Sequence, residues 1–381
     1  MAAIFPNHQV WDLFCRVVDN YGDAGVCWRI ARMLAAEHRL PVRLWIDRPQ
    51  TLNALLPELD AAAEVQHIDG VTICDWSRLV PQPQSAAVVV EAFGCGLPES
   101  YVEAMAAMPR PPQWVVLEYL SAEDWVDGHH GLASPHPRLP LQRWFFFPGF
   151  GGGNGGLPRE QDLLTRRDGF DAAVFWRALG FAPPEPGGVT ASVFAYADAP
   201  WTRLIEACRS GPEPSLLVLP EGALAAAARS YAGAAQHVKS LRLGALELRW
   251  LPFLPQRLYD ELLWACDCNF VRGEDSFVRA QWAARPLVWQ PYRQEDDAHA
   301  CKRAAFAARY TAGMTPEVSA AWHGLQHHWN HADGVGLAAA WMGWRGQREA
   351  LISHAGAWSA RLVAEPELVA ALVEFALGKV K

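Results

Sequence analysis

With 381 residues, the chain is too long for one compact core and favours two domains of about 150–200 residues each. Hydrophobic residues at 51% against 19% charged exclude a disordered, collagen-like or coiled-coil protein. A net charge of −8 argues against a nucleic-acid binder, which usually carries a basic face.

The first half alternates short apolar runs with amphipathic stretches. Trp11 to Val18 reads as a buried strand that ends at Asp19. Gly25 to Glu37 reads as a helix, with Val26, Ile30, Met33 and Leu34 on one face. Strands follow at Val42 to Ile46, Ala87 to Ala92 and Trp114 to Tyr119. A short helix at Leu52 to Leu59 and another at Pro98 to Met108 separate them. Asp127 to Gly156 breaks this pattern with His, Pro and Gly, and helical patterning returns from Glu160 to Leu179. Pro183 to Gly188 has the composition of a linker. The domains are therefore placed at 1–182 and 183–365, with a final helix at about 366–381 that packs back on the first.

The second half repeats the alternation. Strands are expected at Val189 to Tyr196, Ser215 to Leu219, Leu246 to Leu251, Cys268 to Val271 and Leu287 to Gln290. Helices are expected at Trp201 to Arg209, Ala223 to Tyr231, Leu258 to Cys266 and Ser276 to Ala284. The order implies an α/β protein of two Rossmann-like domains, each a parallel sheet with helices on both faces, facing a central cleft. Ligands in such sheets bind beyond the carboxyl ends of strands, so the strand-to-helix junctions are the places for chemistry.

The first junction is Asp19-Asn20-Tyr21-Gly22-Asp23. One aspartate serves as a helix N-cap; the second is not explained that way. Carboxylates this close can hold a cation or share proton transfer, and a cap plus a turn former gives the same spacing. The second junction is Arg272-Gly273-Glu274-Asp275-Ser276. Gly273 permits close backbone approach. Ser276 and the first-turn amides suit an anionic diphosphate, and Arg272 adds charge. Glu274 and Asp275 oppose a bare phosphate, so at least one faces something else, such as a sugar hydroxyl. Phe253 and Gln256, between rigid prolines, can stack on and hydrogen-bond a base. Phe194 and Tyr196, at the end of the second domain's first strand, are aromatic and cleft-facing by topology. Taken alone, ordinary loop packing is the favoured reading of the first pair and core packing the default for the second.

Two patterns are set aside. Gly151, Gly153 and Gly156 match a dinucleotide-loop spacing, but follow no first strand and lead to Pro158 rather than a helix, so a mobile loop is expected. His323, His327, His328 and His331 fall in a helix whose accompanying carboxylate, apart from Asp333, is missing, so no metal site is expected. The eight cysteines are scattered and read as reduced thiols; Cys266 and Cys268 have no partner pair at zinc spacing. No basic start with an apolar run opens the chain and no 18-residue apolar stretch follows, so a cytoplasmic protein without a membrane span is expected. The 18 tryptophans are expected in cores.

Taken in order, several segments resemble the protein-arginine rhamnosyltransferases that modify bacterial elongation factor P. They are Trp11 to Cys15, Val17 to Asp23, Phe146 to Phe150, Phe194 with Tyr196, Pro252 to Gln256 with Tyr259-Asp260, Arg272 to Phe277, and Gln290-Pro291-Tyr292. The family usually has a more polar loop where this chain has Gly151 to Gly156. The resemblance implies a GT-B glycosyltransferase that moves L-rhamnose, with inversion, from dTDP-β-L-rhamnose to an arginine nitrogen of elongation factor P. It implies an acceptor-binding first domain where Asp19 or Asp23 takes the proton, the resemblance favouring Asp19 as base and Asp23 as its partner, with Asn20 and Tyr21 beside the acceptor. It implies a donor-binding second domain. There Phe194 and Phe253 flank the thymine, Tyr196 and Gln256 hydrogen-bond it, and Arg272, Gly273, Asp275, Ser276 and Tyr292 surround the diphosphate. Glu274 joins the catalytic residues by positioning sugar or diphosphate, and no metal or cofactor is required. The rival readings are a GT-B transferase with another nucleotide sugar or a glycan or lipid acceptor, a non-catalytic sugar-nucleotide binder, and a nicotinamide dehydrogenase. Binding of dTDP but not NAD would exclude the last.

Overall fold

The computed structural model describes residues 10–83, 86–293, 298–331 and 334–379. The chain divides into two compact units: Met1–Gln161 with Ala364–Lys381, and Asp162–Val363.

The first unit runs β1 (Val10–Cys15), α1 (Asn20–Ala36), β2 (Val42–Ile46), β3 (Val65–Ile68), β4 (Val71–Asp75), β5 (Ala86–Ala92), α2 (Glu99–Ala106), β6 (Gln113–Leu117), α3 (Trp125–His129), β7 (Ala133–Pro135) and β8 (Gln142–Phe146). Its sheet has the order β3-β4-β2-β1-β5-β6-β8-β7. The edge strands β3 and β7 are antiparallel to their neighbours, and the rest are parallel. The central strands read as continuous apolar runs because both faces are covered. Leu13, Cys15, Val88 and Val90 point to the side of α1, whereas Phe14, Trp45 and Val89 point to the side of α2. Successive β1 residues thus serve opposite cores. Asp12 faces the α2 side, fully buried, and satisfies its charge by bidentate pairing with Arg43 at 2.5 and 2.6 Å and by hydrogen bonds from Trp45 and Tyr101.

The second unit begins with α4 (Leu163–Asp168) and α5 (Ala172–Ala178). It continues through β9 (Val189–Val193), α6 (Trp201–Arg209), β10 (Ser215–Pro220), α7 (Ala223–Tyr231), β11 (Ser240–Leu243), β12 (Leu246–Leu251), α8 (Gln256–Ala265), β13 (Cys268–Arg272), α9 (Asp275–Trp282) and β14 (Leu287–Gln290). Its sheet order is β11-β12-β10-β9-β13-β14, with β11 the antiparallel edge. The helices α10 (Ala298–Tyr310), α11 (Pro316–Asn330), α12 (Leu337–Gly346) and α13 (Arg348–Val363) complete it. Here the tryptophans find their use. Trp322, Trp329, Trp341 and Trp344 are all buried to below 2% exposure, and the Trp341 and Trp344 rings stack 5.2 Å apart. None of the eight cysteines is in a disulfide.

The division falls before α4 and α5, whereas the sequence reading placed it at 182/183. Both helices pack within the second unit. Phe170, between them, meets the Trp264 ring at 5.4 Å, and the Arg249 guanidinium lies over Trp176 at 5.4 Å. Pro183 to Gly188 is a turn into β9 with Gly187 at φ +81°. The helix expected over Glu160 to Leu179 is interrupted at Gly169, and Glu160 instead pairs with buried Arg29 of α1 at 2.6 and 3.0 Å.

The last helix, α14 (Leu368–Lys379), lies in the first unit, where Leu368, Val369, Leu372 and Ala376 join the α1-side core. The glycine run receives it. Asn154, Gly155, Gly156 and Leu157 are buried, Gly155 N–H donates to Phe147 O at 2.8 Å, and Leu368 N–H donates to Leu157 O at 3.1 Å. The mobile loop expected from composition is therefore corrected to a packed turn. Its glycines allow backbone approach: a Cβ on Gly156, at φ +73°, would fall on the Pro366 carbonyl. Gly156→Ala is expected to destabilise the first unit by about 2–4 kcal/mol. Thermal unfolding would show it, together with lost amide-exchange protection in α14.

Candidate active site

In both units the sheet order reverses beside the first strand, between β1 and β5 and between β9 and β13. Such switch points open a crevice at the carboxyl ends of strands. Both sequence junctions sit there.

At the first junction the two aspartates separate. Asp23, only 3% exposed, turns back over the first turn of α1 and accepts the N–H of Val18 at 2.8 Å and of Asp19 at 2.9 Å on Oδ2. Its Oδ1 accepts the Tyr119 hydroxyl at 3.2 Å. A carboxylate near a helix N-terminus is favoured by the dipole and by these donors. Asp47 of the loop after β2 holds the same segment through Val17 N–H at 2.9 Å. Asp19 occupies the N-cap position at φ −94°, ψ 71°, but its side chain does not cap the helix. It is half-buried, with Tyr21 half-buried beside it on the first turn. The Asn20 side chain lies outside the described residues.

Gly22 fixes where the Asp19 carboxylate rests: an added Cβ would stand 2.8 Å from Asp19 Oδ2. Gly22 lies inside α1 without a positive φ, so alanine there is favoured by helix propensity by about 1 kcal/mol. Gly22→Ala is thus expected to leave the melting temperature unchanged or raised, while turning the Asp19 carboxylate away and lowering kcat about 10–100-fold. Parallel melting and turnover measurements on one preparation would check it.

The second junction is clamped by its own side chains. Ser276 Oγ accepts Arg272 N–H at 3.0 Å and donates to Arg272 O at 2.5 Å. Its proton is committed to the turn, so contact with an anion would run through the backbone amide. Gly273 adopts φ +58°, donates its N–H to Gln290 O at 3.0 Å, and accepts the Trp289 indole on its carbonyl at 2.8 Å. These bonds hold the opening of α9 against β14. Glu274 is the N-cap residue and is half-buried.

Arg272 is brought together with the aromatics. Its guanidinium lies 4.5 Å from the Phe194 ring centroid and 4.7 Å from that of Tyr196. Tyr196 meets the 45% exposed Tyr292 edge-on at 6.0 Å, and its N–H donates to Gln290 Oε1 at 3.0 Å. Four of the expected donor residues therefore form one cluster over β9, β13 and β14. A planar cation on two ring faces keeps its outward edge available to an anion. Phe253 lies on the loop after β12, with its N–H on Glu221 at 3.2 Å. Gln256 is buried and gives its Nε2 to Asp275 at 3.1 Å. Asp275 Oδ2 also accepts Arg279 Nε at 2.8 Å, so this carboxylate belongs to the frame beneath the turn.

The four histidines expected in one helix do not form a single cluster, and His331 lies just past α11. His323 meets Thr311 at 3.5 Å, the His327 and His331 rings lie 4.0 Å apart, and the His328 ring packs on Gly336. Burial and then His331 push the His327 imidazole below its ordinary pKa. Among the described residues no group of three His, Cys, Asp or Glu is placed to hold a metal ion, and Asp333 lies outside them. Sequence reasoning missed Tyr119, Gln290's double role, and the pairing of Arg279 in α9 with both Asp260 and Asp275. Of these only the Asp275–Arg279 spacing of four carries a signal in the sequence.

No described helix is long and apolar enough to cross a membrane. The profile of the elongation factor P (EF-P) rhamnosyltransferase EarP matches residues 11–377. A protein-arginine rhamnosyltransferase of Pseudomonas putida is 46% identical over 375 residues, 96% of this chain and 98% of that one. One of Pseudomonas aeruginosa is 44% identical over 376 residues, with 96% and 98% covered. The solved structure describing EarP-mediated arginine glycosylation of translation elongation factor EF-P superposes with a TM-score of 0.68 at 35% identity, over 97% of this chain and 99% of that one. The spinosyn rhamnosyltransferase SpnG shares the fold at a TM-score of 0.52 and 13% identity, over 96% of this chain and 99% of that one. The two α/β units are those of a GT-B glycosyltransferase, and the chain belongs to the EarP family of EF-P rhamnosyltransferases.

Proposed function

We propose that this enzyme transfers L-rhamnose from dTDP-β-L-rhamnose, with inversion, to a guanidine nitrogen of one arginine in elongation factor P. The relatives' activity supports the sugar and the arginine, and EarP acting on EF-P supports the acceptor. A translation factor as acceptor places the work in the cytoplasm.

The chemical difficulty is that arginine, with a pKa of about 12 or higher, is protonated and a poor nucleophile. A carboxylate cannot remove that proton beforehand. Binding of the guanidinium by Asp19 orients one nitrogen toward the anomeric carbon. As the C–N bond forms, the bond from the anomeric carbon to the diphosphate oxygen breaks, and the nitrogen becomes acidic enough to give its proton to Asp19. The single observation that carries this assignment is the division of labour at the first junction: Asp23 is spent on two backbone amides and Tyr119, whereas the Asp19 side chain does no capping. Asp23 is the partner that holds Asp19 in place. Asn20 and Tyr21 stand beside the acceptor.

In the second unit, Arg272 and the first-turn amides at Asp275 and Ser276 meet the charge that develops on the departing dTDP. Tyr292 completes that surface, and Gly273 lets the backbone approach. Phe194 and Phe253 take the thymine faces, with Tyr196 and Gln256 at its edges. Glu274 positions the sugar. Electrostatic stabilisation of this kind needs no added metal or cofactor. The test is the intact mass of elongation factor P after incubation with the enzyme and dTDP-β-L-rhamnose. A gain of one deoxyhexose at a single arginine is expected. No gain, despite tight dTDP binding, would move the acceptor elsewhere and keep the donor site.

Arg272→Ala should separate the donor side. It is expected to weaken dTDP binding about 10–100-fold, since a charge-assisted contact and two ring contacts go together. Titration calorimetry with dTDP would check it, with elongation factor P affinity unchanged.

A further inference from the structure

Two aromatic rings stand beside the first junction without belonging to its motif. Phe93 directly follows β5 and Tyr119 lies two residues past β6, and both are half-buried. Their rings stack 4.4 Å apart at 12°. Phe93 holds φ +58°, a left-handed conformation that side chains with a Cβ rarely adopt, and its N–H is tied to Leu117 O at 2.6 Å. The Tyr119 hydroxyl donates to Asp23 Oδ1 at 3.2 Å, and the other oxygen of that carboxylate accepts the Asp19 N–H at 2.9 Å. One carboxylate thus links the ring pair to the Asp19 backbone. The three strands concerned, β1, β5 and β6, are adjacent in the sheet.

We infer that the Phe93–Tyr119 pair is the platform on which the acceptor guanidinium stacks, and that the Tyr119 hydroxyl positions Asp23 and, through it, Asp19. This rests on the reading that an arginine is the nucleophile. Carboxylates attract a guanidinium but grip only its edge. A ring face also fixes its plane, and so fixes which nitrogen meets the sugar. A compact, strongly hydrated ammonium gains less from such a surface, so the platform favours arginine over lysine. Packing alone does not account for the pair. A core ring would be buried and in a relaxed backbone, whereas these rings keep exposed area and Phe93 holds a strained φ.

The experiment compares Tyr119→Phe, Tyr119→Trp and Tyr119→Leu in the full chain, measuring kcat and KM for elongation factor P, dTDP affinity and melting temperature. Tyr119→Leu removes the ring and is expected to raise the acceptor KM about 5–30-fold. Tyr119→Phe keeps the ring and loses the hydrogen bond, so kcat should fall about 2–10-fold with KM within about twofold of wild type. Tyr119→Trp should keep KM within about threefold, which preserves the test if the leucine variant does not fold. Dissociation of dTDP should stay within about twofold throughout. Equal KM changes in the phenylalanine and leucine variants, or losses that track dTDP affinity, would overturn the platform while wild-type transfer to arginine continues. Wild-type enzyme that modifies no arginine would overturn the underlying reading, and the platform with it.

Discussion

Asp19→Asn is expected to lower kcat about 10²–10⁴-fold, the usual worth of a positioned general base, and to leave dTDP affinity within about twofold. Asparagine keeps the size of the side chain and the space above Gly22 that the carboxylate now fills. What it loses is the charge proposed to bind a guanidinium and the basicity proposed to take its proton. Asp23→Asn should behave differently. Its Oδ2 accepts two backbone amides and its Oδ1 the Tyr119 hydroxyl; asparagine can keep the two amides on its oxygen only by turning its NH2 to the hydroxyl, which then accepts, and the negative charge is lost. Loss of stability should accompany that loss of activity, at about 1–2 kcal/mol, because charge-assisted hydrogen bonds become neutral ones. Intact-mass assays of elongation factor P and calorimetry with dTDP, run on both variants, read the two effects separately. If Asp19→Asn weakens dTDP binding as much as transfer, the separation of base from donor site fails. If it retains more than about a tenth of wild-type turnover, the proton goes elsewhere.

The contrast between those two residues shows what the sequence could and could not tell. Their spacing fitted a cap with a turn former as well as a catalytic pair. Only the fold shows Asp23 turned inward and the Asp19 side chain left out of the cap. The same inward turn explains why α1 was read from Gly25 although it begins at Asn20. Hydrophobic periodicity registers the face of a helix that packs, and a polar first turn held by a carboxylate leaves no such trace. Elements governed by apolar burial alone were read to the residue: β2, α6, α7, β12 and β14 lie where their apolar runs predict. The clustering of Phe194, Tyr196 and Arg272 follows from topology: the two rings lie one and three residues past β9, and Arg272 ends the neighbouring β13. Tyr119 was not legible, since 96 residues separate it from Asp23 and only the pairing of β1 with β5 and β5 with β6 brings them together. The glycine run misled for a related reason. Composition reports backbone freedom, and here that freedom is used for close packing under Pro366.

Arg279→Met should be the most damaging substitution in the second unit. Arg279, its side chain 1% exposed, gives Nε to Asp275 at 2.8 Å and Nη1 to Asp260 at 2.9 Å. Methionine fills similar volume but leaves two carboxylates without their shared cation. Breaking a buried ion pair from one side costs about 3–5 kcal/mol, because the stranded charge keeps its desolvation penalty. For a unit of this size that corresponds to a fall in melting temperature of about 6–20 °C. Asp260 keeps Arg166 at 3.3 Å, and Asp275 keeps Gln256 at 3.1 Å, so both retain some support. The damage should reach function, because Asp275 opens α9 directly after Glu274 and the Gly273 turn. A loosened α9 should weaken binding of the proposed dTDP donor. The decisive comparison adds Asp275→Asn to Arg279→Met. If a stranded charge is the cause, the double variant recovers part of the loss, giving a coupling of about 1–3 kcal/mol between the two sites. A double variant as unstable as the sum of the singles would instead mean that Arg279 acts through packing alone.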